Sequence, residues 1–291
     1  MKGMETVVTP VMLAIVGDSA AGKTTFTDGV VALLGDKRVA TVCTDDYHRY
    51  DRVQRRELDV TPLDPDGNYM DIMAQHLRLL AAGEPILKPV YDHSHGTFAP
   101  PEYVVARQFM VIEGLLGLTS KPRGDCYAVK VFLDPPEDLR SRWKIQRDCA
   151  KRGYTPNQVT AELERREPDS AAFIRPQREK ADIVVRFEPP DGLIDSARLS
   201  MRMVLRPTIS HRDLTELAEK ASSDGCGSIR LELARDEGHP VDLLHVSADI
   251  SAEETERIES LLWERMHFDH HLEREDIGTF VEGNRRRHSD S

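Results

Sequence analysis

One short stretch, GDSAAGKTT at residues 17–25, restricts the possible folds of this chain more than any other feature. It follows the apolar run VMLAIV and precedes the helical pattern FTDGVVALL, which predicts a strand, a tight turn and a helix in that order. The stretch matches GxxxxGK[ST], a pattern whose backbone N–H groups and helix N-terminus surround phosphate groups. We therefore predict a nucleotide-binding loop made of Gly17, Asp18, Ser19, Ala20, Ala21, Gly22, Lys23, Thr24 and Thr25.

Two side chains of this loop have predicted roles of their own. Lys23 is expected to reach the terminal phosphates of a nucleoside triphosphate, and Thr24 is expected to bind Mg²⁺ through its hydroxyl group. The chain contains no NKxD motif for reading guanine, which disfavours a regulatory GTPase. The loop alone indicates a superfamily, and the reaction has to be inferred from other residues.

Short runs rich in β-branched residues alternate with helical patterns over the first two-thirds of the chain, which is typical of parallel βαβ units. The fold class we expect is α/β, with a P-loop NTPase-type, mostly parallel sheet flanked by helices. Residues 84–107 are rich in proline and predict a long loop with one small hairpin. The predicted strands are 11–16, 39–44, 108–113, 127–133 and 182–187, and the predicted helices are 23–34, 70–82, 137–151, 157–166 and 170–180.

The pattern changes after EPPDG at residues 188–192. Three strand-like runs follow, with helices near 211–222 and 252–267, and the last helix begins with a capping box of Ser251 and Glu254. This part is either a smaller α+β lobe or a set of antiparallel strands added to the edge of the main sheet. The predicted organisation is a P-loop domain at 1–190 with a lid helix near 137–166, a C-terminal α+β extension at 191–280 and a disordered tail at 281–291.

Charge and composition exclude several classes of partner. The formal net charge of −11 argues against a broad surface for nucleic acid or anionic membranes, because such surfaces need a net positive face. The 4 cysteines form no CxxC pair, and no apolar run is long enough to span a bilayer. We expect a cytoplasmic protein with no nucleic-acid and no membrane partner.

Two carboxylates at predicted strand ends are candidates for chemistry at a phosphate. Asp45 follows the second strand, and if that strand neighbours the first, its carboxylate faces the terminal phosphate. Asp45 would then accept a proton from an acceptor hydroxyl or bind Mg²⁺. Glu113 ends the third strand, where a carboxylate commonly holds Mg²⁺ directly or through water. For each of them the alternative is an ordinary solvated acidic residue.

The stretch WKIQRDCAKRG predicts a helix with several cations on one side. Lys144, Arg147 and Arg152 lie at helical spacing, with Asp148 among them. Such a helix could close over a nucleotide, offset the charge that develops during phosphoryl transfer and exclude water. The alternative is a surface helix held by salt bridges.

Taken together, these motifs resemble the phosphoribulokinase and uridine kinase family of P-loop kinases. The resemblance covers about residues 11–187 and includes DDYHRYDR, VTPLDP, KPVYDHSHGTFAPPE, VIEGLL, WKIQRDCAKRG and RREPDSAAFIRPQREKADIVV. It implies transfer of the ATP γ-phosphate, with Mg²⁺, to the C1 hydroxyl of ribulose 5-phosphate. A homo-oligomer, in particular a dimer, is also expected.

The resemblance implies roles for residues at matching positions. Asp45 matches the catalytic base, and a catalytic set of Asp45, Lys23, Lys144, Arg147 and Arg152 follows from the motifs. The implied substrate-binding residues are His48, Arg52, Tyr91, His93 and Arg166. The implied metal ligands are Thr24, Glu113 and Asp148.

Two other functions remain open at this point. One is a related kinase acting on another sugar phosphate or on a nucleoside such as uridine. The other is a nucleotide-binding regulator without catalysis. Arg49, Arg52, Arg55 and Arg56 crowd the segment after the candidate base, and a sugar phosphate needs such cations beside a triphosphate more than a nucleoside does.

Overall fold

The fold is described from a computed structural model that covers residues 9–119, 126–190, 198–209, 214–215 and 228–266. Most of the predicted helix near 211–222, and the whole predicted tail at 281–291, lie outside these residues. No helix of the described residues is long and apolar enough to cross a membrane. The described strands are β1 (Val11–Gly17), β2 (Val39–Cys43), β3 (Ile86–Asp92), β4 (Thr97–Val104), β5 (Phe109–Gly114), β6 (Val129–Leu133), β7 (Ile183–Glu188), β8 (Ser200–Leu205), β9 (Ile229–Asp236) and β10 (His239–Val246).

The main sheet has the strand order β2-β5-β1-β6-β7-β8-β10-β9. The strands from β2 to β7 in this order pair in parallel, and each corresponds to one of the predicted strands. Helices flank this sheet, which confirms the predicted α/β class with a mostly parallel sheet. The separate hairpin of β3 and β4 supplies the small hairpin expected in the proline-rich segment.

The prediction for Asp45 assumed that the second strand neighbours the first, and the strand order differs from this assumption. The strand β2 does not neighbour β1, because β5 lies between them. Burial explains this order: Met110, Val111 and Ile112 of β5 are each 0% exposed, as expected for a central strand, whereas β2 carries the exposed Thr41 and forms the sheet edge. That condition is not met: β1, which leads into the phosphate loop, lies between β6 and β5, and β5 carries Glu113.

Antiparallel strands continue the same sheet after β7. β8 pairs with β7, and Val184 of β7 stands opposite the buried Val204 of β8. β10 and β9 then follow as an antiparallel pair. Of the two arrangements considered for this part of the chain, the strands take the second and extend the main sheet. The division of the chain at residue 190 stays a prediction.

Two helical regions differ from the sequence prediction: the short helix Arg52–Glu57 was not predicted, and the residues near 170 do not form the predicted α-helix. Pro168 and Pro176 lack the N–H groups that an α-helix needs, and the predicted helix 170–180 is instead a π-helical turn, Ser170–Ile174, followed by a 3₁₀-helix, Arg175–Lys180. The described α-helices are α1 (Lys23–Leu34), α2 (Arg52–Glu57), α3 (Met70–Ala81), α4 (Glu137–Arg152), α5 (Pro156–Asp169) and α6 (Ala252–Met266).

The capping box predicted for α6 forms only in part. The Ser251 hydroxyl oxygen accepts a hydrogen bond from the Glu254 N–H at 3.1 Å, as predicted. The Glu254 side chain does not complete the box, because its carboxylate accepts a hydrogen bond from the buried Ser228 hydroxyl at 2.8 Å. Glu254 thus joins α6 to the start of β9, and this tertiary contact replaces the local one.

Candidate active site

The phosphate-binding loop lies between β1 and α1. Gly22 and Ala20 have φ angles of 91° and 67°, both in the left-handed region that turns the backbone around a bound anion. Gly17 has to be a glycine, since a Cβ there would lie 2.7 Å from a backbone oxygen of β6. The Lys23 ammonium donates hydrogen bonds to the carbonyl oxygens of Gly17 at 3.0 Å and Asp18 at 2.9 Å. Lys23 therefore lies folded over its own loop, within reach of a phosphate placed there.

The helical hairpin of α4 and α5, here called the lid, contacts the second and third residues of this loop. The Arg140 guanidinium donates to the Ser19 carbonyl at 2.9 Å and lies 3.5 Å from the Asp18 carboxylate. Arg147 reaches the Ser19 hydroxyl at 3.5 Å, and the Ser170 hydroxyl donates to the Asp18 carboxylate. Arg140 is only 5% exposed. Arg140 was not among the predicted site residues. Its position in the first turn of a cation-rich helix is the one sequence signal for this contact.

Glu113 and Thr24 lie together at the end of the loop. The Thr24 hydroxyl is 3.5 Å from a Glu113 carboxylate oxygen. Burial raises the pKa of Glu113, and the nearby carboxylate of Asp45 raises it further, while the Lys23 ammonium lowers it. Hydroxyl and carboxylate oxygens are the donors that Mg²⁺ prefers, but the described residues hold no group of three or more His, Cys, Asp and Glu side chains suited to a metal. The pair therefore fits Mg²⁺ that is also bound by phosphate oxygens.

The candidate base Asp45 is held by backbone atoms of the neighbouring strand. One Asp45 carboxylate oxygen accepts a hydrogen bond from the Leu115 N–H at 3.1 Å. Gly114 makes room for this contact: its φ is 145°, and a Cβ there would lie 1.9 Å from the Thr44 hydroxyl and 3.0 Å from the Asp45 carboxylate. The backbone thus orients Asp45 beside Glu113, although Asp45 lies in the turn after β2 and Glu113 lies in β5.

The neighbouring Asp46 has a structural role. It is buried, and its carboxylate accepts hydrogen bonds from the Lys88 ammonium and from the Tyr91 N–H, the latter at 2.9 Å. Lys88 is itself 3% exposed. A buried charge is stable only when it is paired and hydrogen-bonded, so this pair joins the turn after β2 to the hairpin strand β3.

Three aromatic rings, from His48, Tyr91 and His93, form a contiguous cluster next to this turn. The ring centroids of His48 and Tyr91 are 4.7 Å apart, and those of Tyr91 and His93 are 5.0 Å apart. The His48 Nδ1 lies 2.7 Å from the Asn68 side-chain oxygen. Burial lowers the pKa of His48 to about 4, so the imidazole is neutral near pH 7. Three predicted substrate-binding residues are therefore brought together on one side of the cleft.

Arginines from α2 surround the same cluster. Arg52 donates to the His93 carbonyl. Arg55, one of the arginines that follow the candidate base in the sequence, is 8% exposed and donates to the Tyr91 hydroxyl at 2.6 Å. Its guanidinium also lies 4.9 Å from the centre of the Tyr91 ring. Burial lowers the pKa of Arg55, and the charges of nearby arginines add to this effect.

The lid contributes a second group of cations, arranged around one carboxylate. Asp148 lies 2.9 Å from the Lys144 ammonium, 2.9 Å from the Arg147 Nε and 3.4 Å from the Arg152 guanidinium. Burial alone would raise the pKa of Asp148, but the hydrogen bond from Arg147 and the charge of Lys144 lower it to about 2. Burial lowers the pKa of Lys144 to about 8. Because cations occupy both Asp148 oxygens, binding Mg²⁺ would require Asp148 to give up these partners, and its metal role stays a prediction.

The two groups of cations lie close together. Burial lowers the pKa of Arg152, and among the neighbouring charges those of Arg52 and Arg166 lower it further. The charge of Arg166 also lowers the pKa of Arg55. Arg166 itself is paired with Glu162 at 2.6 Å on α5. Guanidinium groups from α2 and from the lid thus gather in one region, which can hold a doubly charged phosphate by bidentate hydrogen bonds.

The arrangement as a whole can support transfer of a phosphoryl group. A loop suited to a triphosphate, a hydroxyl–carboxylate pair suited to Mg²⁺, an oriented carboxylate and a basic region occur around one cleft. The contacts described above join predicted residues of the phosphate-binding loop, the turn after β2, the hairpin strand β3 and the lid. The individual chemical roles stay predictions.

Comparison with known proteins identifies the family. Residues 12–191 match the model of the phosphoribulokinase / uridine kinase family. The phosphoribulokinase of Synechocystis sp. is 36% identical over 215 residues, which is 73% of this chain and 65% of that protein. The chloroplastic phosphoribulokinase of Arabidopsis thaliana is 30% identical over 233 residues, 73% of this chain and 59% of that protein. The chain thus spans less than two-thirds of the length of these relatives.

Two further similarities concern a different enzyme and a solved structure. A uridine kinase of Streptococcus thermophilus is 26% identical over 196 residues, which cover 66% of this chain and 91% of that protein. The structure of the phosphoribulokinase from Rhodobacter spheroides superposes with a TM-score of 0.61, at 16% identity, over 89% of this chain and 98% of that one. The solved structure therefore supports the fold.

Proposed function

The chain belongs to the phosphoribulokinase and uridine kinase family, and from this premise we propose that it transfers the γ-phosphate of ATP to the C1 hydroxyl of ribulose 5-phosphate, giving ribulose 1,5-bisphosphate. The observation that carries the choice of acceptor is the group of neighbouring guanidiniums from Arg52, Arg55, Arg152 and Arg166, of which Arg55 is buried. An acceptor that is itself phosphorylated adds about two negative charges beside the triphosphate, and these arginines offset the repulsion.

In the proposed mechanism, Asp45 accepts the proton of the acceptor hydroxyl as its oxygen attacks the γ-phosphorus. The Leu115 N–H holds the Asp45 carboxylate in place. Lys23 exchanges its hydrogen bonds to loop carbonyls for bonds to the phosphates. Thr24 and Glu113 would hold Mg²⁺, which would supply neutralisation of phosphate charge. Lys144, Arg147 and Arg152 offset the charge that develops on the transferred group, and the lid excludes water.

A nucleoside acceptor is the second candidate, because the uridine kinase relative matches over nearly its whole length. Arg152 and Arg166 already pair with carboxylates of the lid. A nucleoside brings no phosphate, so it would leave Arg52 and the buried Arg55 without a substrate anion, at a cost in binding free energy. This cost favours the sugar phosphate. The presence of a candidate base, a candidate metal pair and lid cations likewise argues against a nucleotide-binding regulator, since binding alone needs only the loop.

Turnover assays with matched acceptors test the proposal. The purified chain is given Mg-ATP with ribulose 5-phosphate, ribose 5-phosphate or uridine, and ADP release and the phosphorylated product are measured. We expect kcat/KM to be highest for ribulose 5-phosphate, with the new phosphate at C1. A higher value for uridine would support the nucleoside kinase, and stoichiometric ATP binding without turnover on any acceptor would support the regulator. Sedimentation of the same sample would test the expected dimer. Fractionation of cells that contain the protein would test the expected cytoplasmic location.

A further inference from the structure

Two adjacent residues at the base of the lid contact opposite sides of the cleft. Asp169 ends α5, and its carboxylate accepts a hydrogen bond from the Thr61 hydroxyl at 2.6 Å. Ser170 begins the π-helical turn, and its hydroxyl donates to the carboxylate of Asp18 in the phosphate-binding loop. Ser170 is 2% exposed and Thr61 is 5% exposed, so both bonds are shielded from water. The four residues Asp18, Thr61, Asp169 and Ser170 are here called the clasp.

The Thr61 side of the clasp leads to the acceptor side of the cleft. The Thr61 hydroxyl oxygen also accepts from the Leu63 N–H at 3.1 Å, which fixes the turn that follows. Asn68 closes this turn by donating to the Asp64 carbonyl at 2.7 Å, and its side-chain oxygen lies 2.7 Å from His48. Hydrogen bonds therefore connect Thr61 to His48 through the segment 61–68.

The Ser170 side of the clasp leads to the nucleotide side. The Asp18 carboxylate accepts from the Ser19 N–H at 2.5 Å, in addition to Ser170, and lies 3.5 Å from the Arg140 guanidinium. These contacts set the backbone of the loop that would surround the triphosphate. A change in the position of Asp18 on nucleotide binding would therefore directly alter its hydrogen bond with Ser170.

The backbone at the clasp explains how neighbouring residues reach separate partners. Side chains of consecutive helical residues point about 100° apart, so Asp169 and Ser170 face different directions. Pro168 interrupts the α-helical hydrogen bonds immediately before them, and a π-helical turn follows. π-Helical turns inside helices are frequent at functional sites.

We propose that Asp169 and Ser170 are positioning residues that couple the nucleotide site to the acceptor site, so that a nucleotide bound at residues 17–25 orders the segment 61–68. The proposal relies on the proposed function only for the identity of the acceptor. Coupling between two binding sites is reciprocal, so the acceptor should also strengthen nucleotide binding. Neither residue is assigned contact with the substrates.

Hydrogen exchange tests the coupling without any acceptor. Amide exchange in residues 60–68 is measured with and without Mg²⁺ and the β,γ-imido analogue of ATP. In the unchanged protein we expect the analogue to slow exchange about tenfold, within the range of typical couplings. Ser170→Ala and Asp169→Ala should each reduce this slowing to less than about twofold while the analogue still binds. Asp169 is only half-buried, so Asp169→Ala keeps the test available if Ser170→Ala does not fold.

Matched variants distinguish loss of the coupling from a general effect of removing a hydroxyl group. Thr61→Val should abolish the slowing, and Thr61→Ser, which retains the hydroxyl, should restore it. The controls are Thr255→Val and Ser260→Ala on α6, whose hydroxyls bond to carbonyl oxygens of α6 or its N-cap and lie on a different element. Both controls should behave as the unchanged protein.

A kinetic measurement distinguishes positioning from stability. Ser170→Ala should raise the acceptor KM about fivefold at saturating ATP and change kcat less, whereas mere unfolding of a fraction of molecules would lower kcat alone. Undiminished slowing of exchange in both Ser170→Ala and Asp169→Ala would overturn the proposal. Absence of turnover on ribulose 5-phosphate by the unchanged protein would instead contradict the proposed function, and the exchange measurement would still decide the coupling.

Discussion

The two sides of the cleft are built in different ways. The nucleotide side is local: one loop of consecutive residues forms it, and its shape depends on backbone angles such as the φ of 91° at Gly22. The acceptor side is assembled from the turn after β2, from α2, from β3 and from the segment up to Asn68. It is held by buried polar side chains, among them the Asp46–Lys88 pair and the Arg55–Tyr91 hydrogen bond.

This difference predicts different responses to mutation. The loop of residues 17–25 depends on its glycines, and its contacts with Arg140 and Ser170 join it to more distant parts of the chain. An assembled site depends on each buried pair, because the loss of one partner leaves the other desolvated and unsatisfied. On the acceptor side we therefore expect some single side-chain substitutions to lower turnover and others to lower the free energy of unfolding.

Removing the candidate base should give the largest effect and should leave the nucleotide side unchanged. Asp45→Asn keeps the shape and the hydrogen bond from the Leu115 N–H but cannot accept the acceptor proton. We expect kcat to fall by about 10³-fold, with the ATP KM changed less than about twofold. Steady-state kinetics measures both, and Asp71→Asn on the exposed surface of α3 is the control. Normal turnover by Asp45→Asn would remove this residue from the role of base.

Breaking the Asp46–Lys88 pair tests whether buried pairs hold the acceptor side. The side chains are 12% and 4% exposed, so Lys88→Met leaves a carboxylate buried without its cation. The free energy of unfolding should fall by about 3–5 kcal/mol, as measured by urea denaturation. Lys37→Met, at an exposed lysine, should change it by less than about 0.5 kcal/mol. A loss below about 1 kcal/mol for Lys88→Met would mean that the pair behaves as a surface salt bridge.

A substitution at Gly114 tests whether the two sides of the cleft meet at this residue. Gly114→Ala places a methyl group against the Thr44 hydroxyl, 1.9 Å away before any relaxation, and displaces Asp45. Misplacement of a catalytic group by about 1 Å can cost about 10²-fold in rate, and we expect kcat to fall 10- to 100-fold. Gly29→Ala on α1 is the matched control, because its Cβ would meet nothing within 4 Å. That variant should keep full activity and gain up to about 1 kcal/mol in stability.

The smallest expected effect is a loss of unfolding free energy at low pH, caused by the burial of His48. The pKa is lowered to about 4 in the folded state and is near 6.5 in the unfolded state, so the stabilising contribution is present above about pH 6.5 and is lost as the pH falls toward 4. Between pH 7 and pH 5 this loss amounts to at most about 2 kcal/mol. Urea unfolding at both pH values should show a smaller loss for His48→Gln than for the unchanged protein. Equal losses would mean that His48 is not buried as a neutral group.

The elements with strong local signals could be predicted from the sequence. Helix α1 begins and ends at the predicted residues, since Gly22 and Gly35 bound it, and each parallel strand was visible as an apolar run. The place of β5 between β2 and β1 could not be predicted, because strand order depends on which run is buried on both faces. The chain order of the strands contains no such information.

The same limit applies to the candidate site: residues within one element could be predicted, and contacts between distant elements could not. The loop of residues 17–25, Glu113 and the lid cations follow from spacing, because each lies within one element. The burial of Arg55 and its bond to Tyr91 join residues 36 positions apart, and the contact of Arg140 with Ser19 joins residues 121 positions apart. Such contacts depend on tertiary packing, and no periodicity in the sequence indicates them. The helix predicted at 170–180 was wrong for a local reason, since two prolines outweighed a favourable pattern.

The pairing of β8 with β7 also affects how this protein can be divided for expression. Ser200–Leu205 covers the whole length of Ile183–Glu188, and β10 and β9 lie beyond it. A shortened product that stopped near residue 191, where the family match stops, would present the bare hydrogen-bonding edge of β7 to solvent. Bare strand edges recruit other chains, so such a product should aggregate more readily than a product extended through β10, in which β8, β10 and β9 cover the edge of β7.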